Sequence, residues 1–297
     1  MSARRKPSRL WAASLTTIAV IASALVAAGP AGPAWPGAAQ SAAAATPAAH
    51  HERANFKKGV GAWPFPRSRR ALQKSGVSWY YTWAVNHPGI TNPRGVSFVP
   101  MIWGAGDVTP QRLKLVRHEG RNLLTFNEPD LSSQANMTVK EALHLWPRLE
   151  ATKMRLGSPA VAFDAATPGS WLAKFMSRAA RRHYRVDFIT LHWYGEDFST
   201  QAAVSQLQSY IEAVWNRYHK PIWLTEFALW KFDPSVFPGP RQQAAFVTAA
   251  TAMLQQLPYV WRYAWFALPA DGTDGTAGLF RAGAVPTAAG RAFDKVP

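Results

Sequence analysis

The sequence predicts an α/β chain folded as a single-domain (β/α)8 TIM barrel, and three observations carry that expectation. Short apolar runs recur along it: KGVGAW (58–63), VSWYYTW (77–83), VSFVPMIW (96–103), RNLLTFN (121–127), RLGSPAV (155–161), VDFITLHWY (186–194), PIWLTEF (221–227) and VWRYAWF (260–266). Segments with helical spacing stand between many of them, and strands alternating with helices imply a parallel sheet. Eight such units within residues 55–297 match the size of a (β/α)8 barrel. A doubly wound open sheet is the rival, but no Gly-rich phosphate loop follows the first run.

The N-terminus reads differently from the rest. Arg4, Arg5, Lys6 and Arg9 form a positive head, Leu10 to Ala28 is uncharged and mostly apolar, and SAAAATPAAH follows at 41–50. That order describes a secretory signal peptide over 1–45, with a linker at 46–54. The mature chain is therefore expected outside the cell, as a monomer with no stable membrane association once the signal is cleaved. The sequence has no cysteine, which excludes a disulfide framework and a thiolate metal site. Net charge is +16, of which the signal carries four, leaving about +12 (16 − 4). Only RRHYR at 181–185 clusters, and no nucleic-acid motif accompanies it, so it reads as a solvated helix face and nucleic acid is not expected as a partner.

Residues 55–297 form the expected catalytic domain. TVKEALHLWPRLEA (138–151) sets Thr138 three residues before Glu141, a capping-box pattern. TPGSWLAKFMSRAARR (167–182) puts Trp171, Leu172, Phe175 and Met176 on one helical face. Helices are also predicted in TQAAVSQLQSYIEAVWNRY (200–218) and PRQQAAFVTAATAMLQQL (240–257), whereas NHPGITNPRG (86–95) reads as loop. Trp146, Trp171 and Trp215 fall within helical patterns and are assigned to the core.

Barrel strands end at the face where the active site is built. The fourth run stops on Asn127, Glu128 and Pro129, and period-two alternation puts Leu124, Phe126 and Glu128 on one side. The seventh run ends likewise, with Ile222, Leu224 and Glu226 sharing a face. Glu128 and Glu226 are 98 residues apart (226 − 128) but would meet at one mouth. Paired carboxylates there suit glycoside hydrolysis, one protonating the leaving oxygen and the other attacking the anomeric carbon. His192 and Tyr194 share a face at the sixth tip, with Trp193 pointing away into packing. Tyr194 is placed to donate to the nucleophile and His192 to bind a sugar hydroxyl or tune the acid. Trp63, Trp83, Trp103 and Trp265 lie at the ends of the first three runs and the last, as candidate platforms for the C–H faces of sugar rings. No second ligand stands at metal spacing from His192, so neither metal nor cofactor is expected.

FNEPDL, followed in order by QANMTVKEALHLWP, LGSPAVA, WLAKFM, VDFITLHWYG, IWLTEF and YAWF, resembles the Asl1-like glycosyl hydrolase catalytic core, glycoside hydrolase family 128 of clan A. The likeness runs from Gly59 to Phe266. It implies a (β/α)8 fold and endo-acting hydrolysis of β-1,3-glucan with retention of configuration. It also implies Glu128 as acid/base, Glu226 as nucleophile and Asn127 as the holder of the sugar 2-hydroxyl. One departure stands out: family members often read Asn-Trp at the end of the second strand, where this chain has Thr82-Trp83. The rival functions are a clan A glycosidase acting on another β-glycan and a non-catalytic β-glucan-binding protein.

Overall fold

The computed structural model describes residues 56–270 and 276–296. The expected signal peptide and linker lie outside the described residues. Among the described residues no helix is long and apolar enough to cross a membrane.

The strands are β1 (Lys58–Gly61), β2 (Trp79–Tyr81), β3 (Ser97–Phe98), β4 (Met101–Ile102), β5 (Asn122–Asn127), β6 (Arg155–Ala160), β7 (Ile189–Gly195), β8 (Ile222–Leu229) and β9 (Val260–Trp265). They form two parallel sheets, in the orders β3-β2-β1-β9-β8-β7 and β4-β5-β6. β3 and β4 are two halves of the predicted third strand. Proline has no N–H to give to a ladder, and the run changes partner around Pro100: Val99 N–H donates to Tyr80 O, while Pro100 O accepts from Leu124 N–H. β6 touches β7 through parallel bridges at Gly157–Phe188 and Val161–Leu191.

Helices α1 (Ser68–Lys74), α2 (Pro110–Val116), α3 (Val139–Glu150), α4 (Trp171–Arg181), α5 (Thr200–Tyr218) and α6 (Pro240–Gln256) follow strands, as the alternating pattern predicts. Residues 86–95 are loop, as expected. A short antiparallel pair, β10 (Phe280–Arg281) and β11 (Val285–Pro286), leads into α7 (Ala288–Lys295). Hydroxyl caps set several helix starts: Thr138 accepts from Glu141 N–H, Ser170 from Ala173 N–H and Thr287 from Gly290 N–H.

Two apolar layers result. The inner one, between the strands, comprises Trp79, Tyr81, Val99, Met101, Leu124, Phe188, Trp223 and Ala264. The outer one lies between strands and helices. There Trp146 is buried between Phe126 and Phe175, Trp193 stacks on Phe246, and the half-buried Trp171 and Trp215 stack on Phe175 and Tyr259. These four tryptophans pack as predicted.

The face assignments of the two key strands need correction. Leu124 sits in the inner layer but Phe126 in the outer, against Trp146. Phe126 and Glu128 have φ of 27° and 42°, left-handed values that break the pleat and turn Glu128 back inward. On β8, Ile222 and Leu224 are outer-layer residues while Glu226 points in. Leu191 pairs with Leu224 and His192 with Glu226, so Thr225 is an extra residue. Such a bulge re-aims the side chain that follows. Simple alternation would have sent Glu226 toward the helices.

Candidate active site

Glu128, just past the end of β5, and Glu226, the fifth of the eight residues of β8 and not at a strand end as the sequence suggested, come together 8% and 5% exposed. His192, from β7 between them, is 1% exposed and bridges the pair. Its Nδ1 lies 2.8 Å from Glu128 Oε1 and its Nε2 3.5 Å from Glu226 Oε1. Burial opposes a positive charge on this ring. The negative Glu226, the bond to Glu128 and the charges of Glu128 and Asp130 outweigh it, raising the His192 pKa above its usual value.

Glu226 is held on both oxygens. Oε1 accepts from Trp83 Nε1 at 2.7 Å, the Tyr81 hydroxyl shares its one proton between Oε1 at 3.2 Å and Thr225 O at 2.9 Å, and Oε2 accepts from the Tyr194 hydroxyl at 2.5 Å. Burial, then the charge of Glu226, holds both tyrosine hydroxyls well above their ordinary pKa, so they remain neutral donors. Trp83 reaches the carboxylate by lying across β1. A Cβ on Gly61 would stand 2.5 Å from Trp83 Cη2, so only glycine allows that approach.

Asn127 is buried beside the acid. Its Nδ2 donates to Gln134 Oε1 at 3.4 Å, and its Oδ1 has no partner among the described residues. The departure at Thr82 has a local role, because its hydroxyl donates to Asn86 O at 2.8 Å.

The four predicted tryptophan platforms separate. Trp63 is half-buried, 6.0 Å from Trp83 and 6.1 Å from Phe266 between ring centroids. Trp83 is a hydrogen-bond donor at the site. Trp103 is half-buried against the inner layer. Trp265 is fully buried between Phe227 and Phe246, with its Nε1 donating to Ala277 O, and offers no face to a ligand. The reason is strand parity: on β9, Arg262 and Ala264 face inward, so Trp265 faces out and the next residue, Phe266, faces in. Half-buried Phe266 lies 5.6 Å from Trp83 and 5.7 Å from Tyr194. Trp230 and Phe232 extend this wall, with Phe232 5.0 Å from Tyr194.

Four members of the site were not anticipated: Tyr81, Phe266, Trp230 and Phe232. The alternation Trp79, Tyr81, Trp83 carried the signal for the first, since all three face the inner layer. Among the described residues, Glu128, His192 and Glu226 form one group with potential metal-ligand atoms within 4.8 Å of one another. Three donors already aimed at Glu226 compete with any cation there.

The family profile described as "Glycosyl hydrolase catalytic core" matches residues 61–293. The chain belongs to this family and is a glycoside hydrolase. It is similar to a subgroup I endo-β-1,3-glucanase of glycoside hydrolase family 128 from Amycolatopsis mediterranei, solved with laminarihexaose. The identity is 53% over 82% of this chain and 100% of that one, with a TM-score of 0.79. Structures of that enzyme include variants with one or the other of two glutamates replaced. A subgroup II endo-β-1,3-glucanase from Sorangium cellulosum is 29% identical over 81% of this chain and 98% of its own, with a TM-score of 0.66. Alkali-sensitive linkage protein 1 of Schizosaccharomyces pombe is 33% identical over 199 residues, 65% of this chain. The chain spans about a third of that protein's length, 34%. These matches place the enzyme in glycoside hydrolase family 128.

Proposed function

We propose that the enzyme is a secreted, monomeric endo-β-1,3-glucanase that retains configuration. Its two parallel sheets are read as one (β/α)8 barrel. Support for closure comes from the continuity of β3 into β4 and from the bridges between β6 and β7. Secretion rests on the N-terminal sequence alone, and residues 55–297 are taken as the catalytic domain. The Amycolatopsis and Sorangium enzymes support the β-1,3-glucan substrate and the endo mode.

One observation carries the mechanism: carboxylate oxygens of Glu128 and Glu226 lie within 4.8 Å of each other. Retaining glycosidases set their carboxyl groups about 5–5.5 Å apart, whereas inverting ones leave about 6.5–9.5 Å for a water. Glu226, aligned by donors on both oxygens, attacks the anomeric carbon. The glycosidic C–O bond breaks and Glu128 gives its proton to the departing oxygen. Glu128, now a carboxylate, takes a proton from a water whose oxygen attacks the same carbon, and Glu226 leaves as a carboxylate. His192 holds Glu128 in position through both steps. Asn127 Oδ1 accepts from the sugar 2-hydroxyl, a contact that strengthens in the transition state. Trp63, Phe266 and Phe232 provide aromatic faces for the sugar rings, with the buried Trp230 packed behind them.

Glu226→Gln is expected to abolish laminarin hydrolysis while laminari-oligosaccharide binding survives; normal turnover by that variant would refute the assignment. NMR of the first product anomer tests retention, since an initial α product would mean inversion. Early mixed oligosaccharides from laminarin and curdlan would support endo action, and a single early product would overturn it.

A further inference from the structure

At the end of the strands opposite the glutamates, β9 turns Arg262 inward. Its guanidinium carbon lies 4.4 Å from the ring centroid of Trp223 and 5.3 Å from that of Trp79. Trp223 is 2% exposed and Trp79 fully buried, whereas Arg262 is half-buried and opens the place toward solvent. Arg262 Nη1 is buried without an acceptor among the described residues, and so is Trp223 Nε1 on the neighbouring side chain. Trp79 Nε1, by contrast, donates to Lys57 O at 3.1 Å.

The two unsatisfied groups are both donors, and neither can accept. Burying a guanidinium without a counter-charge is costly, and stacking on aromatic faces offsets only part of that. No ion pair with a carboxylate serves Arg262 among the described residues. Burial, followed by the positive charge of Arg155, lowers its pKa to about 10, so it stays charged at neutral pH. Arg155 itself lies over the exposed ring of Trp261, 5.0 Å from its centroid. A water could partner these donors but leaves the guanidinium charge unbalanced, whereas an anion also neutralises it and is favoured by both arginines.

We propose that Arg262 and Trp223 form a binding site for a small inorganic anion of chloride size at the N-terminal end of the strands. The anion neutralises Arg262 and ties β8 to β9, so it acts on stability and not on turnover.

The test uses the mature enzyme. Its thermal midpoint is compared in sodium chloride and in sodium gluconate at equal pH and ionic strength, because a ligand of the folded state raises the midpoint with its concentration. The midpoint is expected to be higher in chloride, with that difference lost in Arg262→Met and reduced in Trp223→Phe. Equal midpoints in the two salts, or a difference that survives in Arg262→Met, would overturn the proposal. A second measurement needs no variant. Crystals of the unaltered enzyme grown in bromide are expected to show an anomalous peak beside Arg262 Nη1 and Trp223 Nε1, and ordinary water density there instead would refute the site.

Discussion

Replacing Tyr194 by Phe removes one oxygen and leaves the ring, which packs 5.0 Å from Phe232 and 5.7 Å from Phe266. That oxygen is the hydrogen-bond donor to Glu226 Oε2, at 2.5 Å, while Oε1 keeps Trp83 and Tyr81. A hydrogen bond to a charged group is worth about 1.5–3 kcal/mol. At about 1.36 kcal/mol per tenfold, its loss corresponds to about 10- to 150-fold in rate. The penalty is expected in the second chemical step. There Glu226 departs as a carboxylate and needs its donors, whereas in the first step the same donors stabilise the charge that attack removes. The glycosyl-enzyme should therefore accumulate, with kcat falling and KM unchanged or lower. Initial rates on laminarin, with intact-protein mass spectrometry of the quenched reaction, read both effects. In Trp83→Phe, Tyr81 still serves Oε1, so the loss is expected at the low end of that range. A Tyr194→Phe kcat within about twofold of the parent, or a change in KM alone, would refute the argument that this hydroxyl aligns the nucleophile.

Glu128→Ala is expected to lose about 100- to 10,000-fold on laminarin, the usual worth of a general acid; aryl laminaribiosides with acidic phenols, which leave without a proton, should retain most of their first-step rate. Gly61→Ala would set a Cβ 2.5 Å from Trp83 Cη2 and displace the indole from Glu226. Its kcat loss should match that of Trp83→Phe, and the double variant should be no worse than either, as for residues acting through one contact. Lys58 is 1% exposed, donates to Val296 O at 2.6 Å, and has its pKa lowered from 10.5 to about 8 by burial, with Asp294 acting the other way. Between those values the unfolded chain binds the extra proton, so this group's contribution to stability rises with pH across that window. From about pH 7 to about pH 11, denaturant unfolding should show the parent gaining on Lys58→Met by on the order of 3 kcal/mol, from 10.5 − 8 = 2.5 units at about 1.36 each. A constant difference would contradict the buried charge.

Much of the site is legible in linear order because strand ends are marked by composition. Glu128 follows the apolar run of β5 directly, whereas β8 continues past Glu226 through buried Phe227, Ala228 and Leu229, so only the first acid marks a strand end. His192 and Tyr194 alternate with Leu191 and Trp193, and the structure keeps that alternation without a break. Trp265 and Phe266 show where such reading fails. Both are aromatic and adjacent, and only the inward turn of Arg262 and Ala264 decides which of them meets the site. Trp83 looked like a stacking surface, yet its value lies in one N–H, and that depends on the missing side chain at Gly61, 22 residues earlier.

What the chain's order of residues determined was the α/β alternation and the two acids carried by its strands, since apolar periodicity and helix caps are local properties. What only the tertiary structure decided was direction. The extra residue at Thr225 and the left-handed turns at Phe126 and Glu128 rotate both carboxylates inward. Neither feature has a local signature, because each is held by neighbouring strands: Glu128 N–H by Ala160 O, and the Thr225 carbonyl by the Tyr81 hydroxyl. The distance between the acids, and with it the chemistry, is set by contacts between residues far apart along the chain.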